Sequence, residues 1–225
     1  MSTPAPSGAW RVPLMWQGQD VFVIGGGPSL KSFNWNRLVG RVTIGCNDAY
    51  LLGEQVVALS VFGDIRWYNL HKERLAQFKN PKVTCNYRCQ GEPEILTLKR
   101  DSIMVSEEVR GVQFRSRVFG LSSDPEKVCW NSNTGAVAVN IALLAGAKRV
   151  ILLGFDMKLS EEGQPNWHPN PLNSGKAQRY LIFMKAFDQI AIEQPVKFPE
   201  AAILNAGPDS ALSSFPRVSL DEVLP

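Results

Sequence analysis

Residues 20–30 read DVFVIGGGPSL. Asp20 to Ile24 is a short β-branched and aromatic run that halts at Gly25-Gly26-Gly27, the pattern of a buried strand running into a tight turn. Pro28 and Ser29 then suit the start of a helix. Proline lacks an N–H that the first turn would leave unpaired anyway, and Ser29 is a candidate cap. Working outward, RVTIGCN (41–47) reads as a second strand ending at Asn47-Asp48, VVALSVFGD (56–64) as a third ending on Asp64, and KVTC (82–85) as a fourth. The stretch WNSNTGAVAVNIALLAGAKRVILLGFD (130–156) places cap candidates Ser132, Asn133 and Thr134 before a helix from about Gly135 to Ala145. That helix is apolar nearly all round, so it should lie buried against the sheet, with Gly146 as its stop. Arg149 to Leu153 follows as a strand ending at Gly154 and Asp156. A helix feeding a buried strand is the grammar of a parallel sheet. The expected fold is therefore α/β: a Rossmann-like, mostly parallel sheet with helices on both faces, in a single domain with an irregular insertion.

The remaining segments are read around that frame. Residues 1–19 form an N-terminal arm rich in Pro and Ser, either frayed as a plain tail or docked through Trp10 and Trp16. Residues 20–225 read as the Rossmann-like domain, whose strand ends are taken up below as a nucleotide-binding site. Within it, Gln90 to Lys127 carries mixed signals and reads as an irregular insertion, a small hairpin or a lid. Met157 to Gly175 is a loop. A helix from about Lys176 to Glu193 has Ala177, Tyr180, Leu181, Met184, Phe187 and Ala191 on one face, and Pro195 should end it. AAILNAGPDS (201–210) reads as a last strand and a polar turn.

Composition narrows the partners. With 225 residues, 44% hydrophobic and 20% charged, the chain has the makings of an ordinary globular core. Its 24 basic and 21 acidic residues leave a net charge of +3, too small a surplus to argue for a nucleic-acid partner. No apolar run has the length of a membrane span. MSTPAPSGAWRVPLMW lacks the basic-then-apolar pattern of a secretory signal, so a cytoplasmic protein is expected. Cys46, Cys85, Cys89 and Cys129 then read as reduced, buried thiols. The spacing of Cys85 and Cys89 would need two more ligands to hold zinc, and the only histidines are His71 and His168.

In open α/β sheets, ligands bind beyond the carboxyl ends of the strands. The ends read here carry Gly25, Gly26, Gly27, Pro28 and Ser29; Asn47 and Asp48; Asp64; Asn133, Thr134 and Gly135; and Asp156. Polar residues or glycines recur at each of them, and that recurrence points to a nucleotide site. A glycine turn lets backbone N–H groups approach a phosphate, and a helix N-terminus favours negative charge. The string GGGPSL is neither the spaced dinucleotide fingerprint nor a Walker sequence, so a bare tight turn is the competing reading. Asn133-Thr134-Gly135 is either a second anion site or a simple N-cap. Asp64 and Asp156 suit ribose hydroxyls or a divalent cation, and equally the capping of a turn. Asn47 suits a base or a sugar, because its amide both donates and accepts. His168, in the NWHPNP loop, is either a general base or a surface residue. His71 reads as a helix-face residue. Lys158, Arg66 and Lys176 are candidate phosphate partners.

These blocks resemble a known family. VFVIGGGPSLKSFNWNRL followed by IGCNDAY is similar to the opening of the bacterial sialyltransferases that use CMP-sialic acid: a strand, a GxGPSL turn, then a CN dipeptide closing the second strand. NTGAVAVNIALLAGAKRVILLGFD resembles their S/T-G helix and strand-Gly-x-Asp, and ILNAGPDSALSSF their C-terminal asparagine and serine turn. The resemblance covers roughly two-thirds of the chain, in order, and leaves the middle unmatched. The same blocks also resemble the archaeal hydroxymethylpterin pyrophosphokinases and the motility-associated factor proteins, which Asp64 fits better. Small relatives of this kind are typical of phage and prophage genomes. The resemblance implies that Gly25, Gly27, Pro28 and Ser29 form the nucleotide turn and that Asn47 contacts the nucleotide. It further implies that Asn133, Thr134 and Gly135 line the phosphate or ribose, and that His168 stands where the sialyltransferases keep a loop histidine base. The chain departs from the family at Gly26, where the sialyltransferases have asparagine. It departs again at Met157 and Lys158, which stand where they place tyrosines to stabilise the departing phosphate. Lys158 would neutralise that phosphate instead.

Three functions follow as expectations. The first is a transferase using a nucleotide-sugar donor, CMP-sugar-like, with a small molecule or glycan as acceptor, His168 as base and Lys158 at the leaving group. The second is a pyrophosphate or phosphoryl transferase acting on a small hydroxymethyl substrate, with Mg²⁺ held by Asp64 and Asp156. The third is a nucleotide-binding module without turnover. A bound metal is expected only for the second, and self-association into a homo-oligomer is left open.

Overall fold

Val21 and Val23 face one side of a sheet, Phe22 and Ile24 face the other, and all four are buried. A strand covered on both faces must be apolar at every position, which is why this run shows no polar alternation. The computed structural model describes residues 8–101, 105–109, 112–116, 119–169 and 178–224. Its strands are β1 (Gly8–Ala9), β2 (Asp20–Ile24), β3 (Val42–Cys46), β4 (Leu59–Phe62), β5 (Lys82–Thr84), β6 (Ile95–Thr97), β7 (Lys99–Arg100), β8 (Val105–Val109), β9 (Val112–Ser116), β10 (Lys127–Val128), β11 (Arg149–Leu153) and β12 (Ala202–Asn205). The α-helices are α1 (Ile65–Leu75), α2 (Thr134–Leu144), α3 (Gln178–Lys197) and α4 (Leu220–Val223).

Eight strands form one sheet in the order β1-β6-β5-β4-β3-β2-β11-β12, and every pairing in it is parallel. From β2 the chain moves outward through β3 to β6, then returns to lay β11 on the other side of β2. That reversal is the topological switch point at which open α/β sheets part their loops and leave a crevice. α2 and the Phe187–Ile190 stretch of α3 cover one face. α1 and the short 3₁₀ helices at 28–30, 35–38 and 47–52 cover the other. The expected α/β architecture is the observed one. Among the described residues, no helix is long and apolar enough to cross a membrane.

α2 is buried along its length, including the polar Asn140. Burying an amide is tolerable only when its hydrogen bonds are made. Asn140 Oδ1 accepts from Ser122 N at 2.9 Å and Cys129 N at 3.2 Å, and its Nδ2 donates to Ser122 O at 2.8 Å. Asn131 ties the same segment, accepting from Gly120 N at 2.8 Å and donating to Gly120 O at 2.9 Å. The chain entering α2 is thereby tied to the 120–122 segment.

Several local expectations are corrected. The turn after Gly27 opens a single 3₁₀ turn, Pro28–Leu30, not a longer helix, and Gly27 stands at its cap position while Ser29 bonds elsewhere. Ile95–Thr97, inside the stretch read as irregular, is a strand of the main sheet; three residues are too few to show a period. Gly8–Ala9 pairs with it as the edge strand, and Val12 and Trp16 are buried, so the arm is laid on the domain from residue 8 onward. Pro195 does not end α3, which runs on to Lys197. Proline removes only its own donor, and Gln194 holds the turn instead. Its backbone O accepts from Phe198 N at 2.8 Å, and its side chain donates to Phe198 O at 2.9 Å and Ala201 O at 2.7 Å. Leu181 is exposed, so the core-facing stripe of α3 runs through half-buried Met184 to buried Phe187 and Ile190. Ala177 and Lys176 lie outside the described residues.

Candidate functional site

A cavity of 280 Å³ opens at the carboxyl ends of β2, β3, β4 and β11, against the first turns of α2 and α3. Its size is near the lower end for small-molecule sites. Of the residues singled out in the sequence, Gly25, Gly26, Gly27, Asn47, Asp64, Asn133, Thr134, Gly135, Asp156 and Lys158 all line it. Pro28, Ser29 and His168 are not in its lining. A second hollow, of 520 Å³, lies at the opposite end of the sheet around Asp20, Arg41 and Arg149, where strands begin. Parallel sheets bind ligands at the other edge.

The glycine turn is shaped by close approach. Gly25 N donates to Leu153 O and Gly27 N to Gly154 O, each at 2.8 Å, so the turn continues the β2–β11 seam. A Cβ on Gly27 would stand 2.6 Å from both Gly154 O and Asp156 Cγ. Beyond it, Ser29 N and Ser29 Oγ donate to the two carboxylate oxygens of Asp156, at 2.7 Å each. Asp156 is itself held from below: its backbone O accepts from Ala211 N at 2.7 Å, and Ser210 Oγ donates to Phe155 O at 2.6 Å. The turn after β12 is thus the floor of the β11 end.

α2 begins just as tightly. Asn133 Oδ1 accepts from Gly135 N at 2.7 Å and Ala136 N at 3.3 Å, so the N-cap reading is realised. The ring of Phe155 packs between the glycine turn and this helix start. A Cβ on Gly25 or on Gly135 would lie 3.1 or 2.7 Å from it. Three non-glycine residues of the lining, Asn47, Ser132 and Met157, have left-handed backbones with φ of 51°, 52° and 53°. Such conformations cost on the order of 1 kcal/mol or more and gather at functional sites.

Among the described residues, the charges of the lining divide into paired and exposed. Asp64 caps α1 through Arg66 N at 2.8 Å and pairs with the Arg66 guanidinium at 2.9 Å, which holds its carboxyl below the usual carboxylate value. Lys158 and Arg179 are exposed cations of the lining, and half-buried Tyr180 stands beside them. Burial, with the Asp156 charge adding to it, pushes the Tyr180 phenol up, so it remains an O–H donor. Cys46, at the end of β3, is raised to about 12 by burial and is an inert thiol. All four cysteines are buried and free. Among the described residues, no group of three or more His, Cys, Asp or Glu side chains is arranged to hold a metal ion.

The loop 164–169 folds back over the turn. Trp167 donates from its backbone N to Gly26 O and from Nε1 to Gly25 O, both at 3.0 Å. Asn166 Oδ1 lies 3.1 Å from where a Cβ on Gly26 would be. The next residue, His168, places Nδ1 3.2 Å from Asp48 Oδ2, while Nε2 lies toward Gly26, 3.9 Å from the same Cβ position. Asp48 is buried at the start of the 47–52 helix; its Oδ1 accepts from Trp67 Nε1 at 2.6 Å and faces His71 Nε2 at 3.8 Å. His71 stacks on Trp67 and shares a 3.0 Å hydrogen bond with Tyr50. The two histidines therefore meet on one carboxylate. Neither His168 nor His71 is a free surface residue.

Sequence reasoning missed this convergence and also missed Arg179, Tyr180, Phe183 and Trp130 in the lining. One signal was present: Asp48 follows Asn47 at a strand end, where polar side chains are functional candidates. Lys176 lies outside the described residues.

No family model and no curated protein matches this chain. Among solved structures, the sialyltransferase CstII from Campylobacter jejuni in complex with cytidine-5'-monophosphate is similar, with a TM-score of 0.51 and 14% identity over 90% of this chain and 86% of that one. A second structure of that enzyme, with CMP-3FNeuAc, gives a TM-score of 0.47 and 15% identity over 89% and 85%. The likeness is one of fold: this chain has a sialyltransferase-like α/β architecture.

Proposed function

We propose that this chain is a nucleotide-dependent transferase, a glycosyltransferase drawing on a CMP-sugar-like donor. The observation that carries the reading is the composition of the cavity at the β2–β11 switch point. Its lining holds Lys158, Arg179 and Tyr180. Just outside the lining, His168 Nε2 lies toward Gly26 of the glycine turn. The CMP complex of the fold neighbour supports cytidine as the first base to try. In the proposed step, the donor's anomeric C–O bond to phosphate breaks as an acceptor hydroxyl oxygen bonds to the anomeric carbon. The hydroxyl proton passes to His168 Nε2, and the charge left on the nucleotide phosphate is met by Lys158, Arg179 and Tyr180. The acceptor is a small molecule or a glycan.

The pyrophosphate-transfer alternative is supported less. It asks Asp64 and Asp156 to hold Mg²⁺, yet Asp156 gives both oxygens to Ser29 and Asp64 is engaged by Arg66. Thermal unfolding with CMP, UDP, GDP and ATP, each with and without Mg²⁺, separates the readings. At a hundredfold excess over Kd, CMP alone should raise Tm by about 5–10 °C. Release of CMP from a CMP-sugar should then require acceptor. Stabilisation by ATP only with Mg²⁺ would move the assignment to pyrophosphate transfer, and binding without product would leave a binding module. No response to any nucleotide would remove all three.

A further inference from the structure

We infer that Asp48 is a positioning residue for His168, fixing the imidazole as its Nδ1–H tautomer so that the basic nitrogen, Nε2, faces the glycine turn. The inference deepens the proposed transferase reading and rests on it for its catalytic meaning. Its geometric part stands alone. Among the described residues, Nδ1 of His168 has two acceptors and no donor: Asp48 Oδ2 at 3.2 Å and Pro169 O at 3.1 Å. A ring nitrogen facing a carboxylate and a carbonyl carries the proton, so the lone pair of the neutral ring is left on Nε2. That is the nitrogen that lies toward Gly26, whose backbone lines the cavity.

Asp48 is built for the task. Its side chain is 7% exposed, so it cannot drift to solvent. Trp67 Nε1 occupies Oδ1 at 2.6 Å, which turns Oδ2 toward His168. Trp67 is in turn sandwiched, tilted against Phe62 at 5.3 Å and stacked on His71 at 4.4 Å. His71 engages Tyr50 through Nδ1 and keeps Nε2 3.8 Å from Asp48, beyond hydrogen-bond reach. The second histidine is thus a neighbour of the carboxylate, and His168 is its hydrogen-bonded partner. A base whose partner fixes tautomer and orientation is the general logic of activated catalytic groups. Here the carboxylate belongs to the β3 end and the imidazole to the loop after β11, so the pairing forms only when that loop lies on the glycine turn.

The test is a long-range ¹H–¹⁵N NMR spectrum of the full chain at about pH 8.5, above the ordinary histidine range. The chain has two histidines, so His168→Gln identifies its ring by subtraction. The wild-type His168 ring should show a protonated Nδ1 and an unprotonated Nε2. In Asp48→Asn the amide presents N–H to Nδ1, and the pattern should invert. A wild-type His168 ring protonated at Nε2, which does not depend on Asp48→Asn folding, overturns the inference, and so does an Asp48→Asn ring unchanged from wild type. In turnover, Asp48→Asn should lower kcat about 10²- to 10³-fold while KM changes less than about twofold. An unchanged kcat overturns the positioning role. Failure of the parent reading looks different: wild type would then show no transfer, or His168→Gln would retain it in full, whatever the tautomer.

Discussion

Both carboxylate oxygens of Asp156 are taken by Ser29, Oδ2 by its amide and Oδ1 by its hydroxyl, each at 2.7 Å. The end of β11 is thus stapled to the glycine turn that follows β2, across the seam where a ligand would enter. A buried carboxylate serving two donors makes its removal costly, because the Ser29 N–H is stranded when the acceptor goes. Asp156→Ala should lower unfolding free energy by about 3 kcal/mol and Ser29→Ala by about 1.5 kcal/mol. Their double-mutant coupling in urea unfolding should exceed about 0.5 kcal/mol. Simple additivity would mean that the staple does not operate in solution.

The three glycines of the turn should not respond alike. A Cβ on Gly27 would press on Gly154 O and Asp156 Cγ at 2.6 Å, and neither can withdraw without breaking the seam. On Gly26 it would meet two side chains of a loop, Asn166 at 3.1 Å and His168 Nε2 at 3.9 Å. Gly27→Ala is expected to cost about 2–3 kcal/mol and lower Tm by about 5–10 °C. Gly26→Ala should lower Tm by less than about 2 °C. Equal losses at the two positions in a thermal scan would refute this account of the turn.

The strand ends were legible because buried parallel strands leave a plain trace: Val-Phe-Val-Ile or Val-Ile-Leu-Leu, closed by a glycine or a polar residue. That trace located the carboxyl edge of the sheet, and with it Asn47, Asp64, Asn133 and Asp156. It could not say which partners those side chains would take, so Asp156 read equally as a ligand-holding group and as the cap of a turn, and its oxygens meet the turn at Ser29. The Asp48–His168 pair was illegible because it joins the start of a 3₁₀ helix to a loop far along the chain, and no local period encodes such a meeting. Tyr180 was read correctly as a face residue of its helix. The same face meets the cavity in its first turn and the core only from Met184 onward.

The buried histidine cluster should give the stability a two-stage acid dependence. Burial holds His71 below the ordinary imidazole value, against the pull of Asp48 and helped by Arg74 and His168. Below about pH 6.5 the unfolded chain therefore takes up a proton that the folded chain refuses. The contribution of neutral His71 is full above that pH and is lost as pH falls through its folded value. Asp48 is also held low: burial pushes it up, but the hydrogen bonds from His168 and Trp67 outweigh it. Its contribution persists to about pH 4 and is lost only below that. Tm should fall from pH 7 to pH 5 and again below pH 4, and His71→Gln should flatten the first decline while leaving the second. A His71→Gln profile parallel to wild type between pH 5 and 7 would show that His71 is not the group responsible.

Phosphate recognition at this site should fall largely to side chains. Most of the backbone donors that a glycine turn and a helix start normally offer are already engaged: Gly25 N, Gly27 N and Ser29 N in the seam, Gly135 N and Ala136 N on Asn133, which among the described residues leaves Gly26 N and Thr134 N. The cations of the lining differ in what they have free. Arg66 is neutralised by Asp64 at 2.9 Å, whereas Lys158 and Arg179 stand exposed at the cavity mouth. A charge-assisted contact contributes about 1.5 kcal/mol, close to tenfold in affinity. Lys158→Ala and Arg179→Ala should each weaken CMP binding about tenfold and flatten its salt dependence. Tyr180→Phe, which removes one neutral donor, should weaken it about threefold, and Arg66→Ala should change it less than twofold. Calorimetric titration at two ionic strengths measures all four. If Lys158→Ala and Arg179→Ala bind CMP as wild type does, the phosphate lies elsewhere and the leaving-group roles given to these residues are wrong.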